Sequence, residues 1–254
     1  MLEIRPQEIH LWIVQEKDVA PDLYDQYLPL LSEREMLRYH RLQQASDKKQ
    51  FVLTQILARV VLAKYLDNEK PADIKFERGP FGKPYLPGAG QPQFNLTNSH
   101  GMMVLAITCN REIGIDVEYV NRDAACLKLA RRYFTQAEAA TFENLADETL
   151  KQHFFDYWTL KEAWLKAFGT GLRTPLNRFS LALGKEDVQV AFSPELQEKP
   201  QDWSFWQFDV NAGFRLSLSV RDAPGTPYTF SVQEGVPLQE FTECILQHKR
   251  GLIC

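Results

Sequence analysis

The stretch IGIDVEY, from Ile113 to Tyr119, alternates apolar residues with a glycine and two acids. Successive side chains of a β-strand point to opposite faces, so the pattern predicts a strand with Gly114, Asp116 and Glu118 on one face. The two acids start from Cα atoms about 6.5–7 Å apart, close enough to bind one hard cation, and Gly114 leaves room for a ligand. A surface strand whose polar face only meets water would alternate in the same way. The stretch alone therefore leaves a metal site and an ordinary strand open.

A second stretch, HFFDYWTLKEAWLKAF at residues 153–168, predicts a helix that Gly169 ends with a left-handed cap. Glu162 falls within the apolar stripe of this helix. A carboxylate in that position is costly unless a cation pairs with it or a metal binds it. Lys166, one turn further on, could be that cation in a simple i,i+4 salt bridge. The alternative is that Glu162 joins the two acids of the strand around a metal ion.

Magnesium is the metal that three carboxylates with few other ligands favour, because it prefers oxygen donors and commonly bridges to phosphate. A substrate with phosphate groups needs basic side chains or backbone amides to hold it. Most lysines and arginines only solvate a surface, so no single one is specific. The candidates are Arg38, Arg41, Lys83, Lys161, Lys166 and the amides of residues 169–171.

The composition excludes several classes of protein. The 254 residues carry a formal net charge of −4, which argues against broad nucleic-acid binding because that relies on a strongly basic surface. The start lacks the features of a signal peptide and no apolar stretch is long enough to span a bilayer, which predicts a cytoplasmic protein with no membrane partner. Neither a disulfide framework nor a zinc site is indicated, because the cysteines are widely scattered, at Cys109, Cys126, Cys244 and Cys254.

The two halves of the chain offer a similar set of elements. Each has a long helix followed by strand-like runs, which predicts an α+β fold of two similar units, residues 1–110 and 111–254, although no convincing repeat of residues relates them. Ser32 and Glu35 predict a helix start with a capping box, and residues 238–249 predict a last amphipathic helix. A long helix is predicted at 47–65 and strands at 9–14, 94–97, 103–108, 113–120, 179–182, 203–210, 215–220 and 228–232.

Taken together, GIDVE at 114–118 and WTLKEAWLK at 158–166 resemble the paired signature of the 4′-phosphopantetheinyl transferases, of the larger surfactin-synthetase-activating type. Lesser motifs of that family extend the resemblance over nearly the whole chain, at residues 31–41, 82–84, 94–97 and 169–172. The resemblance implies an enzyme that moves the 4′-phosphopantetheine arm of coenzyme A to a serine of an acyl or peptidyl carrier protein and releases adenosine 3′,5′-bisphosphate. It also implies two α+β subdomains in one chain, related by a pseudo-twofold axis, with coenzyme A and magnesium in the cleft between them. A chain that already contains two halves has less need of a second copy, which predicts a monomer.

The resemblance assigns roles to individual residues. It implies that three acids bind the metal, namely Asp116, Glu118 and Glu162. Glu162 is also the implied general base for the attacking serine, directly or through water. Lys166 matches the lysine that supports the diphosphate. The remaining implied contacts with coenzyme A are those of Arg38, Lys83, Thr97 and, with a less defined role, Lys161.

One position departs from the family pattern. Many members read Ser-His after Phe-Asn-Leu, and that histidine meets the 3′-phosphate of coenzyme A, whereas this chain reads Thr97-Asn98. Asn98 can donate a hydrogen bond to a phosphate but adds no positive charge. His100 would lie on the same face if the strand continued, although Gly101 argues against that geometry. Whether Asn98 or His100 takes the histidine's place is left open.

Carrier proteins of this kind are usually acidic helical bundles, so their docking surface should combine positive charge with apolar contact. The segment 120–134 offers both, and an ordinary amphipathic helix would look the same. Two rival functions are kept: a magnesium-dependent nucleotide hydrolase, although the chain lacks a Gly-x-x-x-x-Gly-Lys-Ser/Thr loop, and a non-catalytic carrier-binding module. The basic residues of the segment are Arg122, Lys128, Arg131 and Arg132.

Overall fold

The computed structural model describes residues 1–211, 213–222 and 227–251, which form two compact units. The first unit contains residues 1–78, 84–110 and 229–245, and the second contains 79–83, 111–228 and the chain from Leu246. These bounds differ from the predicted 1–110 and 111–254 in two segments: residues 79–83 belong to the second unit, and residues 229–245 belong to the first. Residues 229–245 return to the first unit because they pair with its sheet, a long-range contact that local sequence patterns do not reveal. Cys254 lies outside the described residues.

The described elements follow one another along the chain in this order. The helices are α1 (Leu23–Tyr27), α2 (Glu33–Arg41), α3 (Ala45–Leu62), α4 (Cys126–Tyr133), α5 (Gln136–Ala140) and α6 (Asp147–Phe168). The strands are β1 (Glu8–Gln15), β2 (Glu77–Arg78), β3 (Pro84–Tyr85), β4 (Gln93–Ser99), β5 (Met102–Thr108), β6 (Ile113–Tyr119), β7 (Phe179–Leu183), β8 (Val188–Phe192), β9 (Trp203–Val210), β10 (Phe214–Arg221), β11 (Thr229–Gly235), β12 (Phe241–Glu243) and β13 (Gln247–Arg250). None of the helices described is both long and apolar enough to cross a membrane.

The first unit is a five-stranded sheet, in the order β12-β11-β1-β5-β4, with α3 packed on it. β1 runs parallel to β11 and antiparallel to β5. The apolar residues of α3 are buried along most of its length, which stabilises the unit by removing them from water. The predicted capping box at the start of α2 is confirmed, because Ser32 and Glu35 each bond the other's backbone. This cap fixes where α2 begins and hence where Arg38 lies.

The second unit packs α6 against a four-stranded antiparallel sheet in the order β13-β9-β10-β6. α6 ends as predicted at Gly169, whose φ of 79° is the left-handed conformation of a helix cap. Both units therefore combine a long helix with a mixed or antiparallel sheet, and the predicted α+β class is confirmed. The elements that matter for the site are β6 and α6.

The predicted helix at residues 238–249 is wrong. This segment forms two short strands instead, β12 against β11 and β13 against β9. The residues between them include Ile245, which is almost fully exposed. Sheet edges leave backbone N–H and C=O groups unpaired, and a short terminal segment that covers them satisfies more of these groups than an isolated helix turn would. The spacing of apolar residues in so short a segment was not enough to distinguish a helix from two short edge strands.

Candidate active site

Gly114 lets the backbone of α6 lie directly on β6. A Cβ atom at this position would be 2.0 Å from the carbonyl oxygen of Ala163 and 2.3 Å from the nitrogen of Ala167. No side chain fits within such distances, so the space that the sequence reserved for a ligand is filled by the helix itself. The close approach brings the side chain of Glu162 beside the polar face of the strand. Local sequence therefore sets the distance between the two acid-bearing elements.

The three predicted acids are brought together by this packing. The pKa of Glu162 is raised to about 7, mainly by burial and also by the negative charges of Asp116 and Glu118, while Lys166 opposes the rise. Because the repulsion requires the carboxylates to be near one another, the expected convergence of β6 and α6 is present. An acid this strongly perturbed by burial and by specific charged neighbours is typical of a functional site.

Basic side chains already contact two of the acids. Lys166 Nζ donates to Asp116 Oδ1 at 2.7 Å, so the lysine bridges α6 and β6, and its positive charge also acts to lower the pKa of Glu162. Arg122 donates to Glu118 Oε1 at 3.1 Å. Both contacts lower the repulsion among the acids in the absence of a metal ion.

Asp116, Glu118 and Glu162 have the right donor atoms for a divalent ion, but their side chains must move to bind one together. In the part of the chain that the structure describes, no three His, Cys, Asp or Glu side chains are already arranged as a metal site. The three carboxylates are nevertheless the oxygen donors that magnesium prefers, and their mutual repulsion favours a shared cation. Asp116 and Glu118 would exchange part of their present contacts with Lys166 and Arg122 for the ion.

Lys83 fastens the end of α6 to the start of β6. Its ammonium donates to the carbonyl oxygens of Ile113 at 2.9 Å and Ala167 at 3.3 Å. A cation is favourable at the carboxyl end of a helix, where carbonyl groups lack helical partners. Burial lowers the pKa of Lys83 to about 8. Two of its three N–H groups are thus used inside the protein, and its predicted contact with coenzyme A stays a prediction.

Lys161 does not lie where the sequence prediction placed it. Its side chain is 0% exposed, and its ammonium contacts two backbone carbonyls and the carboxylate of Glu138. All three N–H groups therefore have acceptors in the core. The prediction of a phosphate contact is corrected. Successive residues of an α-helix point about 100° apart, so Lys161 points into the core while Glu162 points toward the acids of β6.

A groove in the first unit collects other residues expected to contact coenzyme A. It encloses about 350 Å³ and is lined by parts of α2, α3 and β4. The guanidinium of Arg38 lies 5.1 Å from the centre of the Phe51 ring. Asn98 donates to Thr54 Oγ1 at 3.3 Å and accepts from Gln50. Arg38 and Asn98 are therefore brought to one groove, as the prediction of a shared ligand requires.

Thr97 and His100 are not among the residues that line this groove in the described chain. Thr97 alternates with Asn98 along β4, so its buried side chain points to the opposite face of the sheet. His100 has a φ of 46° and Gly101 one of 79°, the backbone of a two-residue hairpin turn between β4 and β5. The side chain of Thr97 therefore lies on the other face of the sheet from Asn98, its predicted contact with coenzyme A stays a prediction, and the strand does not continue through His100.

Arg78 lines the same groove and was missed by the sequence prediction. Burial lowers its pKa, and the positive charges of Arg34 and Arg38 lower it further, while Glu35 opposes them. Three arginines in one neighbourhood indicate a region suited to an anion. No local pattern marks Arg78 in the sequence, because its neighbours come from the distant helix α2.

The segment expected to dock a carrier protein forms α4 and one wall of a second groove, of about 620 Å³. Leu127 and Lys128 come from α4, while Leu150 and Lys151 come from the first turns of α6. Arg131 is tied to Glu143 by bonds of 2.7 to 3.0 Å. The groove therefore has Lys128, which the sequence prediction named, and Lys151 of α6, which it did not.

Comparison with known proteins gives matches across both units. The family model described as "4′-phosphopantetheinyl transferase superfamily" matches residues 112–220, and one described as "4′-phosphopantetheinyl transferase, N-terminal" matches residues 19–111. The 4′-phosphopantetheinyl transferase HetI of Nostoc is 31% identical over 208 residues, which are 81% of this chain and 83% of the relative. The 4′-phosphopantetheinyl transferase Sfp of Bacillus subtilis is 25% identical over 81% of this chain and 89% of its own. The crystal structure of a holo-[acyl-carrier-protein] synthase of Helicobacter pylori in complex with coenzyme A is 20% identical, with a TM-score of 0.36, over 43% of this chain and 99% of that chain.

Proposed function

Because this chain belongs to the 4′-phosphopantetheinyl transferase superfamily, we propose that the acids of β6 and α6 are the active site of its transfer reaction. The chain is a 4′-phosphopantetheinyl transferase, an enzyme that moves phosphopantetheine from coenzyme A to carrier proteins. The observation that supports the site is the pKa of Glu162, which is raised by burial and by the nearby Asp116 and Glu118. Such a cluster combines a proton acceptor with ligands for a cation.

Asp116, Glu118 and Glu162 are the residues that would hold magnesium. When bound, the ion would neutralise negative charge on the diphosphate of coenzyme A. The carboxylates need to be ionised for this role, and the raised pKa of Glu162 means that its proton must leave first. Lys166 then lies one hydrogen bond from Asp116 and contributes a second positive charge to the same region.

Glu162 is also our proposed general base. A pKa of about 7 leaves a large fraction of its carboxyl ionised at neutral pH and able to accept a proton. The carrier serine loses its proton to Glu162 while its oxygen forms a bond to the β-phosphorus of coenzyme A. The bond from that phosphorus to the bridging oxygen breaks, and adenosine 3′,5′-bisphosphate leaves. Lys166 stabilises the charge that builds on the phosphoryl oxygens.

The nucleotide end of coenzyme A is proposed to occupy the groove beside α2. Arg38 and Arg78 supply positive charge there, and Asn98 supplies an amide on the same face. Arginine binds phosphate through two parallel N–H groups, so a pair of arginines can carry the charge that Asn98 does not provide. Phe51, already beneath the Arg38 guanidinium, offers an apolar surface to a base.

The carrier protein is proposed to dock on the groove between α4 and the first turns of α6. Leu127 and Leu150 provide apolar contact, and Lys128 and Lys151 provide positive charge at its rim. This combination suits an acidic helix with an apolar face. We further propose that the enzyme acts as a monomer and that it acts in the cytoplasm; the free thiols of Cys109, Cys126 and Cys244 in the described chain are consistent with a reducing compartment.

The decisive test is to incubate the enzyme with an apo carrier protein, coenzyme A and magnesium and to weigh the carrier. We expect the mass of the carrier to increase by one phosphopantetheine arm, with adenosine 3′,5′-bisphosphate as the second product. A chelator and the variant Glu162→Gln should each prevent the increase. If a panel of apo carriers stays unmodified while coenzyme A is hydrolysed, the chain is a nucleotide hydrolase and the proposal fails. If coenzyme A with magnesium also gives no thermal stabilisation, a non-catalytic carrier-binding module is favoured.

A further inference from the structure

We propose that Lys161 is a positioning residue that fixes the rotation of α6 about its own axis and so aims Glu162 at the acids of β6. The proposal rests on the function proposed above, because it concerns the geometry of that site. It assigns a role to a buried cation that does not touch the substrate.

The ammonium of Lys161 is held from three sides. It donates to the carbonyl oxygen of Leu176 at 2.9 Å and to that of Phe179 at 2.6 Å, and it lies 3.0 Å from Glu138 Oε1. A lysine has three N–H groups, so each has one acceptor. With three directions fixed and a side chain that is 0% exposed, the ammonium cannot move without leaving a buried charge unsatisfied.

The carboxylate of Glu138 is itself fixed. One oxygen accepts from the backbone nitrogen of Thr135 at 2.9 Å and from its hydroxyl at 2.8 Å. The other oxygen accepts from the backbone nitrogen of Leu181 at 2.8 Å. Glu138 therefore joins the start of α5 to β7, and Lys161 adds α6 to this connection. The ring of Phe179 lies 4.2 Å from the ammonium, which strengthens the same contact.

Residue 161 directly precedes Glu162, so the two side chains leave the helix about 100° apart. A rotation of α6 by roughly 10° moves an atom about 6 Å from the axis by about 1 Å, which is enough to weaken a catalytic or metal contact severely. Gly114 fixes how closely α6 approaches β6 but restricts its rotation less, because its contact is with helix backbone. The contacts of Lys161 restrain the rotation of α6 about its axis, which the packing at Gly114 restrains less.

A second polar contact restrains α6 from the side of the sheet. Thr159 Oγ1 lies 2.7 Å from Ser217 Oγ in the buried layer beneath the helix. Removing the Lys161 anchor should therefore loosen the helix without releasing it. We expect metal affinity to fall by about 10-fold, the lower end of the range found when groups hydrogen-bonded to metal ligands are removed, because Lys161 acts on Glu162 only through the helix.

The test compares the wild-type enzyme with two variants of full length. Lys161→Met keeps a straight apolar side chain, and a simultaneous Glu138→Gln change avoids leaving a buried carboxylate unpaired. The single variant Glu138→Gln is the milder change, because the ammonium keeps its two carbonyl acceptors. The readout is Mn²⁺ binding by electron paramagnetic resonance, with no substrate present, together with kcat and the KM for the carrier. We expect weaker Mn²⁺ binding and lower kcat in the double variant, a smaller change in Glu138→Gln, and an unchanged KM for the carrier.

Phe142→Ala is the matched control. Phe142 is fully buried in the same core, where its ring packs against other aromatic rings, so its truncation destabilises the unit by a different route. Phe142→Ala should lower the midpoint of thermal unfolding but leave Mn²⁺ affinity within about twofold of wild type. If it weakens Mn²⁺ binding as much as the double variant does, the loss of affinity in the double variant is a consequence of lower stability, and the positioning role is overturned. Any folded Lys161 or Glu138 variant that binds Mn²⁺ as tightly as wild type overturns the inference.

Failure of the proposed function has a different signature. If Asp116→Asn and Glu162→Gln bind Mn²⁺ as well as wild type does, the metal site is misassigned, and the positioning role of Lys161 is overturned together with it. If those variants lose the metal while the double variant keeps it, the site stands and only the positioning role of Lys161 is wrong.

Discussion

The ionised carboxylate of Glu162 lowers the free energy of unfolding, and its proposed role in the site explains why the residue is kept. The pKa of its carboxyl is about 7 in the folded protein, against an ordinary value of 4.5, and the first cause is burial. Above pH 7 the folded protein therefore holds an ionised carboxylate that the unfolded chain would solvate more easily. The difference corresponds to about 3 kcal/mol at pH 8. Between pH 7 and 4.5 the folded state binds more protons than the unfolded state, so the cost is relieved as the pH falls.

We predict that Glu162→Gln abolishes transfer and makes the metal-free protein more stable at pH 8. The amide has nearly the shape of the carboxyl group but no charge to bury, so the midpoint of thermal unfolding should rise by several degrees. The gain should shrink as the pH is lowered toward 5, where the wild-type carboxyl is protonated in the folded state. Thermal unfolding measured from pH 5 to pH 8 checks both parts. A gain that is independent of pH would assign the effect to packing and not to charge.

At the nucleotide groove we predict that Arg78→Ala weakens the binding of coenzyme A more than that of 3′-dephospho-coenzyme A. Arg78 lies close enough to Arg34 and Arg38 for their charges to lower its pKa, so the three form a positive region beside Asn98. A charge-assisted hydrogen bond to phosphate contributes about 1.5–3 kcal/mol, which corresponds to roughly 10-fold to 100-fold in affinity.

The KM values of the two substrates provide the measurement, and kcat should change little. Arg173→Ala is a suitable control, because Arg173 is an exposed arginine of the second unit that lies against Phe81. Equal losses for both substrates would place Arg78 at the diphosphate or outside the site.

Residue identity alone did not predict which way several side chains point. Asp116 and Glu118 lie near enough to Glu162 to raise its pKa, as a strand of period two and a helix of period 3.6 predict, and their joint binding of a metal stays a prediction. The resemblance assigned Lys161 and Thr97 to the ligand surface. Both side chains are buried, and in each case the next residue, Glu162 or Asn98, is the one that points toward the proposed site. Phase is set by packing with distant elements, which the local sequence does not contain.

Among the elements, those with long and regular patterns were predictable and the short ones were not. The eight predicted strands are all present, and so is α6 with its glycine cap. The hairpin strand β8 and the terminal strands β12 and β13 were missed. Their pairing with β7, β11 and β9 depends on contacts across the fold, and a segment of three to five residues has too little periodicity to reveal it.

The contact between β6 and α6 leads to a prediction for Gly114→Ala. The added methyl group would overlap the backbone of α6 at Ala163 and Ala167, so the helix must move away from the strand. Overpacking of this kind costs about 1–3 kcal/mol or more. Because Glu162 moves with the helix, kcat should fall by roughly 100-fold for a displacement near 1 Å.

Thermal unfolding and steady-state kinetics measure the two effects. Gly79→Ala is the control, since a Cβ atom there would have only an ordinary contact, 3.8 Å from the carbonyl oxygen of Lys83. If Gly114→Ala keeps both wild-type stability and wild-type kcat, the close packing of α6 on β6 is not what aligns the acids.

On the scale of the whole molecule, the distribution of charge matters more than its sum. The chain has a net charge of −4, so at long range it repels an acidic carrier protein. Attraction must come from local positive surfaces that act at short range, where salt screens them. The groove formed by α4 and α6 has such a surface, and two of the nearby arginines, Arg122 and Arg131, are already engaged with Glu118 and Glu143. Lys128 and Lys151 are then the residues on which carrier docking should depend.

We therefore predict that Lys128→Glu with Lys151→Glu raises the KM for the carrier by about 10-fold or more at low salt, since each reversal replaces attraction with repulsion. The KM for coenzyme A should not change, because neither lysine lines the nucleotide groove or is among the residues proposed to meet the diphosphate. Raising the ionic strength from 0.05 to 0.5 M should weaken wild-type docking and narrow its difference from the variant. Lys185→Glu with Lys199→Glu, at two exposed positions of the same unit, makes the same change in net charge and is the control. If this control raises the carrier KM as much as the reversal at Lys128 and Lys151 does, overall charge governs the encounter and the groove has no special part in it.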